Sequence, residues 1–176
     1  MKIATITCHR VYNHGAALQA WALATFIKRE GHDVRIIDYR PAYLCGQFDW
    51  KVNNPRFDKP ILRWLYLLAK YPSWNKAQKR KNAFDVFDDK YIAPFVTKKT
   101  YTSCEDLRKN PPEADVYIAG SDQIWNTILK NGTDASFYLD FGDEKIRKIS
   151  YAASFATNTL KSGTEAFVKS KLAGLD

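Results

Sequence analysis

The sequence predicts an α/β fold, a mostly parallel sheet flanked by helices in the Rossmann-like arrangement, and three observations carry that prediction. Short, nearly continuous apolar runs such as "KIATIT" (2–7) and "DVYIAG" (115–120) read as strands buried on both faces of a parallel sheet. A helical pattern lies between the first of these and a second run, "DVRIIDY" (33–39), which makes a βαβ unit with its almost always right-handed crossover. The loops after the first strand and after "DVYIAG" are crowded with polar residues, at the sheet edge where open α/β proteins bind ligands.

The elements follow in order. From Ala16 to Ile27 the apolar residues Leu18, Trp21, Ala22, Leu23, Phe26 and Ile27 recur at three- and four-residue spacings, as in a helix packed on a sheet. Lys28 and Arg29 suit the last turn of that helix, and Gly31 can take the left-handed position beyond it. Arg40-Pro41 closes the unit, and residues 42–58 show no sustained period. "PILRWLYLLAKY" (60–71) and "NKAQKRKNAFDVFDDKY" (75–91) read as two helices, which makes 42–110 a helical, basic excursion from the alternation. Ser103 is placed to cap a short helix that ends at Asn110, ahead of Pro111-Pro112. "RKISYAASF" (147–155) is a further strand candidate, and "KSGTEAFVKSKLAGLD" opens a last helical pattern that stops at Asp176. The expectation is one Rossmann-like lobe over 1–176, the N-terminal piece of something longer.

A chain of 176 residues, 45% of them apolar and 14% aromatic, is long enough to bury one sizeable core. No run approaches the ~18 apolar residues that span a bilayer, and the N-terminus lacks the pattern of a signal peptide, so a cytoplasmic location is expected. Cys8, Cys45 and Cys104 are odd in number and widely spaced, which gives neither a disulfide framework nor a metal knuckle. No metal or cofactor is called for. Residues 51–100 hold twelve Lys or Arg against four Asp, so the whole formal excess of +8 falls there. That excess, beside "ILRWLYLL", suggests peripheral contact with an anionic membrane face, set against the plainer account of packed apolar residues and solvated lysines. No nucleic-acid-binding motif accompanies the basic residues.

Two polar clusters carry the chemistry. In the first, Arg10, Asn13, His14 and Gly15 offer a cation, a tight turn and the amides of a helix start, a set that suits a phosphate or carboxylate. One glycine is too few for a dinucleotide fingerprint, and no Gly-Lys-Ser/Thr follows as a Walker loop requires. The same spacing also allows Asn13 to be a cap and Gly15 a close-packing residue. In the second cluster, "GSDQIWN" (120–126), a hydroxyl, a carboxylate, two amides and an indole follow a strand end. Ser121, Gln123, Trp125 and Asn126 can contact a sugar, and Asp122 can accept a hydroxyl proton; equally, Ser121 or Asp122 can cap a helix and Trp125 can fill core.

"HRVYNHGAALQAWAL", "VRIIDYRP", "DVYIAGSDQIWN", "FYLDF" and "RKISYAASFA" resemble, in that order, the N-terminal half of the polysaccharide pyruvyl transferase family. The resemblance implies the N-terminal lobe of a GT-B-like, two-lobed enzyme that moves the pyruvyl group of phosphoenolpyruvate onto a sugar as a ketal. The family pattern commonly has an aromatic where His14 stands. The resemblance further implies Asp122 as base or sugar orienter, Arg10 and the helix start at Gly15 as anion contacts, and a second lobe that supplies donor-binding cations. On that basis the partners are phosphoenolpyruvate, a sugar acceptor that can be lipid-linked, and the missing C-terminal lobe, without which 1–176 is expected to be inactive. The competing expectation is a sugar- or anion-binding Rossmann-like domain that consumes no donor.

Overall fold

Five strands, β1 (Lys2–Ile6), β2 (Asp33–Tyr39), β3 (Val96–Tyr101), β4 (Val116–Gly120) and β5 (Arg147–Tyr151), form one sheet in the order β3-β2-β1-β4-β5, all parallel. The computed structural model describes residues 1–45 and 60–176, and only the backbone at 60–63, 65, 67–70 and 72. The order is that of a Rossmann-like α/β fold, as the sequence predicts. β1 pairs with β2 from Lys2↔Asp33 to Thr5↔Ile36, and with β4 from Ile3↔Val116 to Ile6↔Ala119. Every residue of β4, and all but Lys2 of β1, is buried, the burial on both faces that a parallel sheet demands.

Helix α1 (His14–Arg29) covers one face, where Ile3, Val34, Ile36, Val116 and Ile118 meet Ala17, Ala20, Ala24 and Ile27. The helix that Ala16 to Ile27 predicts is present, but it turns a different stripe inward. Its alanines pack on the sheet, while Leu18 and Phe26 are 50% and 61% exposed, with Ala22 between them also exposed. Spacing reveals stripes, not which stripe is inside, and small side chains let a helix lie close on a sheet. The helix ends in a Schellman motif: His32 N–H bonds to Ile27 O, Gly31 N–H bonds to Lys28 O, and Gly31 has φ +84°. On the other face, α3 (Cys104–Lys109), α4 (Glu165–Leu172) and two 3₁₀ turns bring Leu107, Val168, Phe137 and Tyr138 onto Ala4, Ile6, Tyr117 and Ala119. Ser103 caps α3 as expected, accepting from Asp106 N–H at 3.1 Å.

The stretch 42–110 departs from expectation in two ways. In place of the two helices expected over 60–71 and 75–91 there is one, α2 (Pro60–Phe87), which runs through Pro72 at the loss of one ladder bond and continues as a π-helical turn (Asp88–Ile92). After it comes β3, an edge strand that the spacing does not announce, because Lys98 and Lys99 interrupt its apolar character. Lysines are what an edge strand carries to discourage further pairing.

Gly120, the last residue of β4, has φ +130°, and a Cβ there would stand 2.0 Å from Tyr151 O. Gly120→Ala is therefore expected to destabilise the fold by more than about 2 kcal/mol, read by urea unfolding. Wild-type stability in this variant would show that the β4 exit tolerates a side chain.

Candidate functional site

In a 3-2-1-4-5 sheet the chain leaves β1 toward one edge and β4 toward the other, so their exit loops diverge and open a crevice at the carboxyl ends of the strands. A cleft of about 380 Å³ lies there, lined by Asn13, Gly15 and Ala16 at the start of α1, by Asp122 and Gln123 beyond β4, and by Cys8. The two clusters singled out in the sequence thus meet, though not every member of them does.

Asn13 both lines the cleft and caps α1, its Oδ1 accepting from Ala16 N–H at 3.2 Å. The first ladder bond of the helix is Ala17 N–H to Asn13 O, which leaves the His14 and Gly15 amides ahead of it. Asp122 is half-buried, with Oδ1 accepting from Gln123 N–H at 2.7 Å. Its backbone oxygen accepts from Ser154 N–H, and Ser154 O accepts from Trp125 N–H, so the loop beyond β5 steadies the loop beyond β4. Gln123 is exposed at the cleft, while its carbonyl accepts from the buried Asn131 amide at 2.8 Å.

Arg10 and His14 turn toward α2 instead. Arg10 pairs with Asp88 through Nη1, and its Nε lies 3.8 Å from Asp38 Oδ1. Burial raises the Asp88 carboxyl and the Arg10 charge opposes that rise. His14 packs against Phe84 with ring centroids 4.7 Å apart and planes inclined at 49°, so the imidazole serves as an aromatic surface. Trp125 and Asn126 lie beneath the site. The indole is 7% exposed, stacks on Tyr138 and donates to Phe137 O at 2.9 Å; Asn126 Oδ1 accepts from Ile128 N–H. Core filling accounts for Trp125, the plainer of the two uses its sequence allows.

Several residues at this end have no signal in the loop motifs. Gln19, one polar residue in the apolar pattern of α1, bonds to Ser121 beyond β4 and to Thr7 beyond β1. Burial, aided by the charges of Asp122 and Asp134, pushes the Cys8 thiol up to about 12 and keeps it protonated. Asp134 Oδ2 accepts from both Tyr39 and Tyr43 hydroxyls at 2.6 Å; burial and these bonds raise both phenols, and the pair ties down the segment that brings Leu44 to the cleft.

At the end of β2 stands Asp38, 3% exposed, where a dinucleotide-binding domain would present an acid to a ribose. Here the acid is already engaged, accepting from Arg40 Nε at 2.8 Å and Thr100 Oγ1 at 2.6 Å, with buried His9 Nε2 at 3.4 Å. Among the described residues no group of three His, Cys, Asp or Glu side chains could hold a metal ion, and no helix is long and apolar enough to cross a membrane.

Fold and cleft together define an α/β protein of the Rossmann type with a cleft between the exits of β1 and β4. A sequence profile of the polysaccharide pyruvyl transferase family matches residues 13–176, and the chain belongs to that family of transferases. Searches of curated proteins and of solved structures return no significant match.

Burial pushes the Asp38 carboxyl up, but His9, Arg40 and Thr100 outweigh it and hold the group well below the usual carboxylate range. A carboxyl lowered on folding contributes stability above its unfolded value, near pH ~4, and loses that contribution as pH falls toward the folded value. Asp38→Asn should therefore cost about 1.5–3 kcal/mol at pH 7 and progressively less below pH ~4, measured by urea unfolding across pH. An identical deficit at pH 3 and pH 7 would remove the charge-based account.

Proposed function

We propose that residues 1–176 form one lobe of an enzyme that transfers the pyruvyl group of phosphoenolpyruvate to a sugar of a polysaccharide precursor as a ketal, with the β1/β4 cleft as the meeting place of donor and acceptor. The observation that carries this proposal is the juxtaposition, across one cleft, of the α1 helix start and the Asp122 carboxylate. Helix-start amides favour an anionic group, and phosphoenolpyruvate has two, a phosphate and a carboxylate. A carboxylate across the cleft can take the proton of an attacking hydroxyl.

In the transfer, C3 of the enol gains a proton from solvent water and one sugar hydroxyl oxygen bonds to C2 as its proton passes to Asp122, which returns it to solvent. Phosphate then leaves with the electrons of its bond to C2, and a second hydroxyl oxygen of the same sugar bonds to C2 to close the ketal as its proton passes to the released phosphate. The chain's contribution is to hold anionic charge at Gly15, to orient hydroxyls at Ser121 and Gln123, and to move a proton at Asp122. Arg10 enters through the loop it braces against Asp88, and His14 through its contact with Phe84.

A lipid-linked acceptor would sit at a membrane face, and α2 has residues suited to that surface. Trp64 is 70% exposed and Tyr71 55%, with Lys76 and Lys79 exposed further along the same helix. Interfacial aromatics with neighbouring lysines favour an anionic bilayer surface. The plainer account packs Ile61, Leu62, Trp64, Leu65 and Leu68; Trp64 is exposed instead, and the side chains of the other four lie outside the described residues.

In the full-length enzyme Asp122→Asn should lower turnover by about 10²–10⁴-fold with an unchanged melting temperature. A wild-type rate would reduce Asp122 to the loop cap its bond to Gln123 already makes it. Vesicle sedimentation reads the membrane contact separately. The wild type should pellet with anionic and not neutral vesicles, less so as salt rises, and the triple change Trp64→Ala, Lys76→Gln, Lys79→Gln should lose most of that binding. Equal pelleting of both proteins would exclude α2 as the contact.

A further inference from the structure

Gln19 sits on the second turn of α1, and its side chain reaches both strand exits that bound the cleft. Gln19 Oε1 accepts from Ser121 N–H at 3.2 Å and from Ser121 Oγ–H at 2.6 Å, while its Nε2 donates to Thr7 Oγ1 at 2.8 Å. The direction of these bonds follows from one group. A backbone N–H can only donate, so the amide must turn its oxygen toward Ser121 and its NH₂ toward Thr7. The Ser121 hydroxyl, facing that same oxygen, must then give its proton to Gln19. Its lone pairs remain, and toward any ligand Ser121 is left as an acceptor only.

We propose that Gln19 is a positioning residue that makes Ser121 a hydrogen-bond acceptor for a non-reacting hydroxyl of the acceptor sugar, and that holds Ser121 so that Asp122, the next residue, keeps its place at the cleft. This rests on the function proposed above. A freely turning serine would welcome a donor or an acceptor; a serine whose proton is committed distinguishes a hydroxyl from a group that has none to give. Sites that bond to a particular hydroxyl reject the analogue lacking it strongly, because the protein group is otherwise left unpaired. The bond to Thr7 extends the clamp to the β1 exit, so one side chain sets the relation between the two loops. Removing it lets the β4 exit shift, and a displacement of about 1 Å at a reacting centre costs about 10²-fold in rate.

The test uses the full-length enzyme with phosphoenolpyruvate and methyl hexopyranosides, together with their monodeoxy analogues at hydroxyls that do not react. The wild type should discriminate against one such analogue. Gln19→Leu should lower kcat/KM for the parent sugar by about 10²-fold and abolish that discrimination, with the KM for phosphoenolpyruvate unchanged. Gln19→Glu retains acceptor oxygens for Ser121 and should preserve the discrimination, since Thr7 can turn its hydroxyl to donate instead. Amide hydrogen exchange at Ser121 reads the clamp without turnover: exchange should speed up in Gln19→Leu and stay slow in Gln19→Glu. Wild-type discrimination in Gln19→Leu, or slow Ser121 exchange there, overturns the proposal. Should Gln19→Leu fail to fold, Ser121→Ala must abolish the same discrimination, and a Ser121→Ala enzyme that still discriminates overturns it equally. A wild type that transfers no pyruvyl group to any of these sugars refutes the function proposed above and the sugar contact with it, while the exchange result still reports whether Gln19 clamps the loop.

Discussion

The parallel pairing of β1 with β4 is the constraint on which the functional end of this protein depends. Two strands buried on both faces, with the chain leaving them toward opposite edges of the sheet, cannot have exit loops that close over each other. The gap is thus a consequence of topology before any side chain is chosen. What the sequence adds is the lining: a capped helix start on one wall, a carboxylate and an amide on the other, and a buried thiol that stays protonated.

Around that gap the loops are held by side chains rather than by regular structure. Asp88 holds Arg10, Phe84 supports His14, Asp134 gathers two tyrosines, and Asp38 concentrates the charges at the end of β2. Arg10 Nε, buried without a hydrogen bond, lies 3.8 Å from the Asp38 oxygen that His9 Nε2 approaches to 3.4 Å, so charge attraction holds the guanidinium where bonding geometry does not. The basic segment therefore has an inward role as well as an outward one: the acids embedded among its lysines, Asp85 and Asp88, meet Tyr12 and Arg10 of the loop after β1.

Much of this was legible in the sequence, and what was not has physical reasons. Strands buried on both faces announce themselves by nearly continuous apolar runs, as β1 and β4 do, and β2 shows itself by Val34, Ile36 and Ile37 despite Arg35. An edge strand needs no such run, and β3 stays hidden behind Lys98 and Lys99. The inward face of α1 escapes a count of large residues, because contact with the sheet is made by alanines. At the candidate site, the strand ends place both loops at one edge of the sheet, yet residue type could not tell which way Arg10 and His14 turn. That direction is set by α2, dozens of residues away along the chain. Trp125 shows the same limit from the other side: an indole beside a strand end suits a sugar or a core, and only the carbonyl of Phe137 decides.

The alanine contact between α1 and the sheet has a mechanical consequence. A helix of 16 residues is about 24 Å long, so a tilt of only a few degrees about its far end moves its start by one or two ångströms. That start is a wall of the cleft. Ala20 and Ala24 act as shims under a lever: an added methyl group beneath either would be magnified into a change of aperture, which lets the width of the gap be adjusted from positions outside its lining.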